Sequence, residues 1–274
     1  MWLRLAYGMT TTNAGRALTT SSTLALILAS VVNSLLHESA HAVAALAYGL
    51  TPTLSSFSVD VAEPTTPHQE VVIALAGPLF SLVMGLTLMV VARRWGSGFG
   101  RLFWLWLAFL GVMNFVGYCF IAPFARGGDT GQALALLQAP GWVFVLVAAF
   151  GVAGQFWLAR RFAVEVARYA ETKTQQRQLA YFPWLLATAV VVVQTLVELI
   201  ALRVPALYFV PVLAYAFAFA IFAPMQFIFS DRVRRGAPSE PLRLGTRQPA
   251  AIAVTAGAVV LDVLLAATGG IRLG

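Results

Sequence analysis

Seven stretches of mainly apolar residues, each near the length of about 20 that crosses a bilayer as a helix, decide what this chain can fold into. They run over 22–48, 71–92, 102–123, 141–159, 181–202, 206–229 and 250–268. In lipid no water pairs with a free N–H or C=O, so an open chain that spans must do so as helices. The expected fold is therefore an all-α polytopic membrane protein. Its composition agrees, with 11% charged residues against roughly 25% in soluble domains.

Charge sets the expected orientation. Of the 18 Lys and Arg residues, 15 fall on one set of alternate connections and 3 on the other. Basic loops stay in the cytoplasm, so the N-terminus is predicted there and the C-terminus outside. The same alternation supports seven crossings. Because the +7 net charge is confined to loops between spans, it is no nucleic-acid signature, and the expected non-covalent partner is the lipid bilayer. Apolar sequence continues from Leu24 to Tyr48, too long for the core of a signal peptide, which predicts a retained first helix. The basic residues are Arg except for Lys173. With abundant Ala, Val and Gly, this points to a GC-rich bacterial genome and a multi-pass protein of the cytoplasmic membrane. The single Cys119 excludes an intramolecular disulfide.

Along the chain the expected parts are a cytoplasmic segment 1–21, a membrane core 22–140 with three spans, and a C-terminal region 141–274 with four. Phe57, Val59 and Val61 alternate between prolines in 51–69 and predict a short strand or hairpin. The charged stretch 160–180 reads as a short interfacial or cytoplasmic helix, and 230–249 as a polar cytoplasmic loop.

Within the first span stands His37-Glu38-Ser39-Ala40-His41. Positions i and i+4 share a helix face, so both imidazoles can serve one metal ion, the spacing of the HExxH zinc motif. Glu38 lies about 100° around the helix, where a general base for an attacking water belongs. Ser30, Ser34, His37, His41, Ala45 and Tyr48 form one polar or small stripe, the kind that faces a bundle interior or a wet cavity. Catalytic zinc usually takes three protein ligands, and three acidic residues are candidates for the third: Asp129, Glu198 and Asp262. Asp129-Thr130-Gly131-Gln132 also fits a capping box opening a helix at 130–138. Glu198 has Arg203 close by as a partner. In the second span Gly77, Ser81 and Gly85 recur every four residues and predict a face for close backbone approach. Pro78 leaves a carbonyl without its usual helical partner.

These features resemble the site-two protease family of intramembrane zinc metalloproteases. The resemblance is carried by His37-Glu38-Ser39-Ala40-His41, by Gly77-Pro78 in the next span, and by the stretch from Asn114 through Pro123 to Gly128-Asp129, over roughly half of the chain. It implies Zn2+ bound by His37, His41 and Asp129, with Glu38 activating water. It also implies a membrane-protein substrate whose transmembrane segment meets Gly77, Pro78, Ser81 and Asn114, and strand pairing with the 51–69 region. The chain departs from the family where Ser81 replaces the usual Asn. It departs again where Asp129 sits in Gly-Gly-Asp-Thr-Gly, fifteen residues after Asn114. Two other functions fit the motif: a catalytically silent scaffold, and a metal-binding transporter or sensor. Clustering of the polar groups on the first span favours hydrolysis.

Overall fold

The computed structural model describes residues 2–201, 216, 218–233, 242, 244 and 248–274, with side chains from Asn13 onward except those of Arg93, Glu198 and Ala201. The chain is an all-α polytopic membrane protein. Among the described residues six helices are long and apolar enough to cross a bilayer: Asn13–Ala47, Pro67–Val91, Gly98–Ile121, Gly141–Tyr169, Lys173–Val197 and Pro249–Ala267. The span expected at 206–229 lies mostly outside the described residues.

Helix α1 runs from Trp2 to Ala47 without a break, so the predicted N-terminal segment is helical. It ends where Gly49 adopts a left-handed φ of 74° and Leu50 N–H closes on the Ala45 carbonyl, a conformation that costs glycine nothing. The predicted hairpin follows, with β1 (Thr53–Leu54) antiparallel to β2 (Val59–Asp60). Thr66 then opens α2 (Pro67–Val91) through a capping box with Gln69, and Pro67 occupies the first helical turn. Helix α3 (Gly98–Ile121) leads into the short α4 (Asp129–Leu136) and then α5 (Gly141–Tyr169). Residues 160–169 are the last turns of α5, which corrects the separate interfacial helix expected there: with Phe162, Ala163 and Val166 fully or nearly buried, this part of the helix still packs on the bundle. The short α6 (Lys173–Gln176) joins a π-turn over Arg177–Tyr181 and then α7 (Phe182–Ala201). Two pieces, α8 (Phe222–Met225) and α9 (Phe227–Val233), lie against α5. The chain closes with α10 (Gln248–Ala267) and β3 (Ile271–Arg272).

The centre of the bundle is α3, packed on α1, α2 and α5. Lipid tails are as apolar as leucine, so close packing and polar contacts must hold membrane helices together. Here α2 and α3 touch backbone to backbone. A Cβ at Gly85 would stand 2.6 Å from Val112 N, and one at Gly111 would stand 2.7 Å from the Ser81 carbonyl. On the other side of α3, Trp106 and Phe109 interlock with Phe162 and Phe222, with ring centroids 4.9–6.1 Å apart. A buried polar relay ties three elements: Trp106 Nε1 donates to Ser22 Oγ at 2.9 Å, and Ser22 donates to the Leu179 carbonyl at 2.6 Å.

The sheet order β2-β1-β3 fixes the sidedness of the chain. Because β3 pairs with β1, the segment after the last helix shares a face with the hairpin after the first. Lys173, at the start of the fifth span, meets Asp231 at 3.1 Å, so Ala201 and Asp231 lie at opposite ends of that helix.

Two outcomes are expected. In a Cys119→Ser background, cysteines placed at Thr66 and Ile271 should label from one side of sealed vesicles and one at Arg161 from the other; labelling of 66 and 271 from opposite sides would break the sheet. Gly85→Leu should destabilise the protein by about 1–3 kcal/mol through overpacking, read by unfolding in detergent.

Candidate metal centre

The helical spacing of His37 and His41 brings both imidazoles onto the α1 face that meets α2 and α4, about 9 Å along the axis from the end of α1 in the case of His41. Both are buried, at 2% and 5% exposure. Their Nε2 atoms stand 3.1 Å apart, and Asp129 Oδ2 lies 2.9 Å from the first and 3.3 Å from the second. Among the described residues this is the one group of three with ligand atoms so close together.

These distances have a chemical meaning. His41 Nδ1 lies 2.6 Å from the Ile73 carbonyl, which only accepts, so Nδ1 carries the proton and the Nε2 of a neutral ring is a lone pair. Asp129 contributes another lone pair at the same point. Such a convergence calls for a cation. Around a four-coordinate zinc with N and O bonds near 2.0–2.1 Å, ligand atoms sit about 3.3 Å apart, and the three separations here fit that size. The donor set of two imidazoles and a carboxylate suits zinc.

A second layer holds the ligands in place, as metal-ligating histidines generally require. His37 Nδ1 pairs with Ser81 Oγ at 3.1 Å. The ring of Tyr118 stacks on His37 with centroids 5.5 Å apart and planes 5° from parallel. Gly77 faces the imidazoles so closely that a Cβ there would overlap His41 Nε2 and stand 2.7 Å from His37 Nε2. Gly77 is therefore the clearance that lets the two rings meet, and the fully buried Ser81 is engaged with His37. The carbonyl captured by His41 belongs to Ile73, whereas Pro78 leaves that of Ala74 without its helical N–H.

Asp129 is placed by the turn after α3. Gly128 is the N-cap of α4, with no side-chain cap, and Asp129 is the first helical residue. The expected helix at 130–138 therefore forms as 129–136, with the Asp129 carboxylate turned to the histidines instead of capping. At Gly131 a Cβ would overlap the Ala125 carbonyl and stand 3.1 Å from that of Ala122, so glycine lets α4 lie flat on the preceding turn.

Glu38 is also buried, at 7% exposure, near enough to feel the charges at His41, Asp129 and Asp60 of β2. Asn114 is half-buried, and its Oδ1 meets no hydrogen-bond partner. Of the other third-ligand candidates, Asp262 accepts from Gln194 between α7 and α10, away from the histidines, and the Glu198 side chain lies outside those described. Tyr118 and the Ile73 carbonyl were not legible as site residues. Nothing in the sequence marks Tyr118 or Ile73, because stacking and a main-chain acceptor leave no pattern.

No family model, curated protein or solved structure matches the chain. The reading of the centre rests on its own geometry.

Zinc measured by elemental mass spectrometry in detergent-purified protein should be about one per chain, and should be lost in Asp129→Ala and Gly77→Ala. Retention of zinc in both variants would overturn the assignment. Ser81→Ala should keep the fold and weaken zinc by about 10–100-fold, read by competition with a chelator.

Proposed function

We propose that the chain is a zinc-dependent intramembrane endopeptidase, similar to site-two proteases, that cleaves transmembrane segments of other membrane proteins. One observation carries the reading: His37, His41 and Asp129 converge inside a membrane bundle with the buried Glu38 beside them. A zinc ion held by those three residues supplies Lewis acidity, which lowers the pKa of water and polarises a peptide carbonyl.

The chain's own groups supply the rest. Glu38 takes the proton of the attacking water on its carboxylate and returns it to the leaving amine. Ser81, Tyr118 and the Ile73 carbonyl keep the imidazoles from turning. Surrounding apolar helices limit the water that reaches the site. The substrate must be locally unwound, since an intact helix ties its carbonyls into i→i−4 bonds. Strand β1 is central in its sheet, so an extended segment joins the sheet at the edge of β2 or of β3.

Orientation follows from charge. On the face carrying the sheet, Arg126 and Arg272 are the basic residues whose side chains are described. The opposite face carries Arg16, Arg94, Arg101, Arg160, Arg161, Arg168, Lys173, Arg177 and Arg232. The metal centre therefore belongs to the outer half of a bacterial cytoplasmic membrane, with the N-terminus in the cytoplasm.

Glu38→Gln is the decisive variant. It should keep about one zinc per chain and lower cleavage of a reconstituted single-span peptide by about 10²–10⁴-fold, the usual contribution of a general base. Equal cleavage by Glu38→Gln and wild type would refute the mechanism. Zinc without cleavage in the wild type, across a panel of such peptides, would favour the silent scaffold.

A further inference from the structure

The small sheet joins the ends of three helices. Strand β1 follows α1, β2 leads into α2 and β3 follows α10, so the order β2-β1-β3 runs from the α2 side to the α10 side across the end of α1. The turn between β1 and β2 reaches back along α1. There the Ser56 carbonyl accepts from Ser34 Oγ at 3.0 Å, and Ser55 and Ser56 are buried, the latter at 2% exposure. Ser34 and Glu38 are four residues apart and share a helix face. The hairpin therefore lies along the side of α1 that carries Glu38. Glu38 is buried there, whereas Leu35 and Val43, further round the helix, are exposed.

Strand β3 holds the hairpin from its other edge. Thr53 pairs with Arg272 and Leu54 with Ile271, and Leu273 N–H donates to the Pro52 carbonyl at 2.9 Å. Arg272 Nη2 donates to Thr51 Oγ1 at 3.3 Å. Thr51 in turn donates to Glu63, so Arg272 is tied through one hydroxyl to both arms of the connection between α1 and α2.

This attachment is light and jointed. Both residues of β3 are exposed, so their pairing buries little apolar surface, and segments held in this way open most readily. Gly269 and Gly270 join β3 to α10 with φ of 76° and 90°, where glycine alone moves without steric cost. A Cβ at Gly270 would stand 2.5 Å from the Leu54 carbonyl, so β3 lies flush on β1 only because that residue has no side chain. We infer that β3 is a latch on the hairpin. Paired, it keeps the hairpin folded along the Glu38 face of α1; unpaired, it frees the hairpin to move aside and admit an apolar peptide segment to that face. The inference rests on the endopeptidase reading for what is admitted, and on the sheet alone for the latch.

The test uses full-length protein in proteoliposomes, in a Cys119→Ser background. Ser56→Cys reports the position of the hairpin through its rate of reaction with N-ethylmaleimide. Adding Gly270→Val should raise that rate by about tenfold or more, and Arg272→Ala should raise it less, as expected for easier local opening. Equal rates in all three proteins would overturn the latch. Without the reporter, Leu54→Cys with Ile271→Cys forms a disulfide that locks the pairing. On oxidation, cleavage of a Lys-flanked single-span peptide of Leu and Ala with a central Gly-Ala-Gly should fall about tenfold or more, since closure gates access. It should recover on reduction, with one zinc per chain throughout. Unchanged cleavage in the oxidised protein would also overturn the latch and leave the protease reading standing. Absence of zinc and cleavage in the wild type would remove that reading instead, and the labelling rates would then decide the latch by themselves.

Discussion

Two imidazoles and a carboxylate meeting in a low-dielectric interior are the constraint on which the rest of this molecule depends. His37 Nε2, His41 Nε2 and Asp129 Oδ2 lie within 3.3 Å of one another, and such a buried polar cluster needs partners on every side. Each neighbouring element answers to that requirement. Helix α1 supplies two rings on one face, α2 withdraws its side chain at Gly77, and α3 backs His37 with Tyr118. The glycines after α3 let Asp129 turn inward instead of capping its own helix.

Holding those elements in register is a packing problem solved without a hydrophobic driving force between helices. Gly85 and Gly111 bring α2 and α3 to backbone contact, and Gly85 stands eight residues beyond Gly77, on the same face of α2 that meets the histidines. The aromatic interlock of Trp106, Phe109, Phe162 and Phe222 lies on another side of α3. One helix is thereby clamped between a close-contact face and a bulky one. The small residues of α2 thus have two uses, clearance at the metal end and helix contact further down.

Much of this was legible. Membrane helices announce themselves by length and apolarity, and α1 to α3 stand where the sequence puts them, as does the hairpin. The HExxH spacing marks a candidate metal site because the helix itself brings residues four apart together. Other parts were not legible, for definable reasons. Residues 160–169 carry charges that suggest an interface, yet one face of them is buried by the bundle. The pairing of β3 with β1 joins segments 217 residues apart through two residues each, too short for any periodicity. Asp129, Glu198 and Asp262 were equivalent candidates because a carboxylate in an apolar chain signals only that it needs a partner.

The sequence by itself determined the class of fold, the pairing of two histidines on one helix face and the glutamate beside them, since all three follow from local periodicity along a helix whose length the bilayer sets. Only the tertiary structure decided which carboxylate meets the histidines, the use of Gly77 as clearance, and the engagement of Ser81 with a ring. Those depend on how α2, α3 and α4 lie against α1. That arrangement is fixed by contacts between residues 32 to 92 positions apart, where sequence spacing carries no distance.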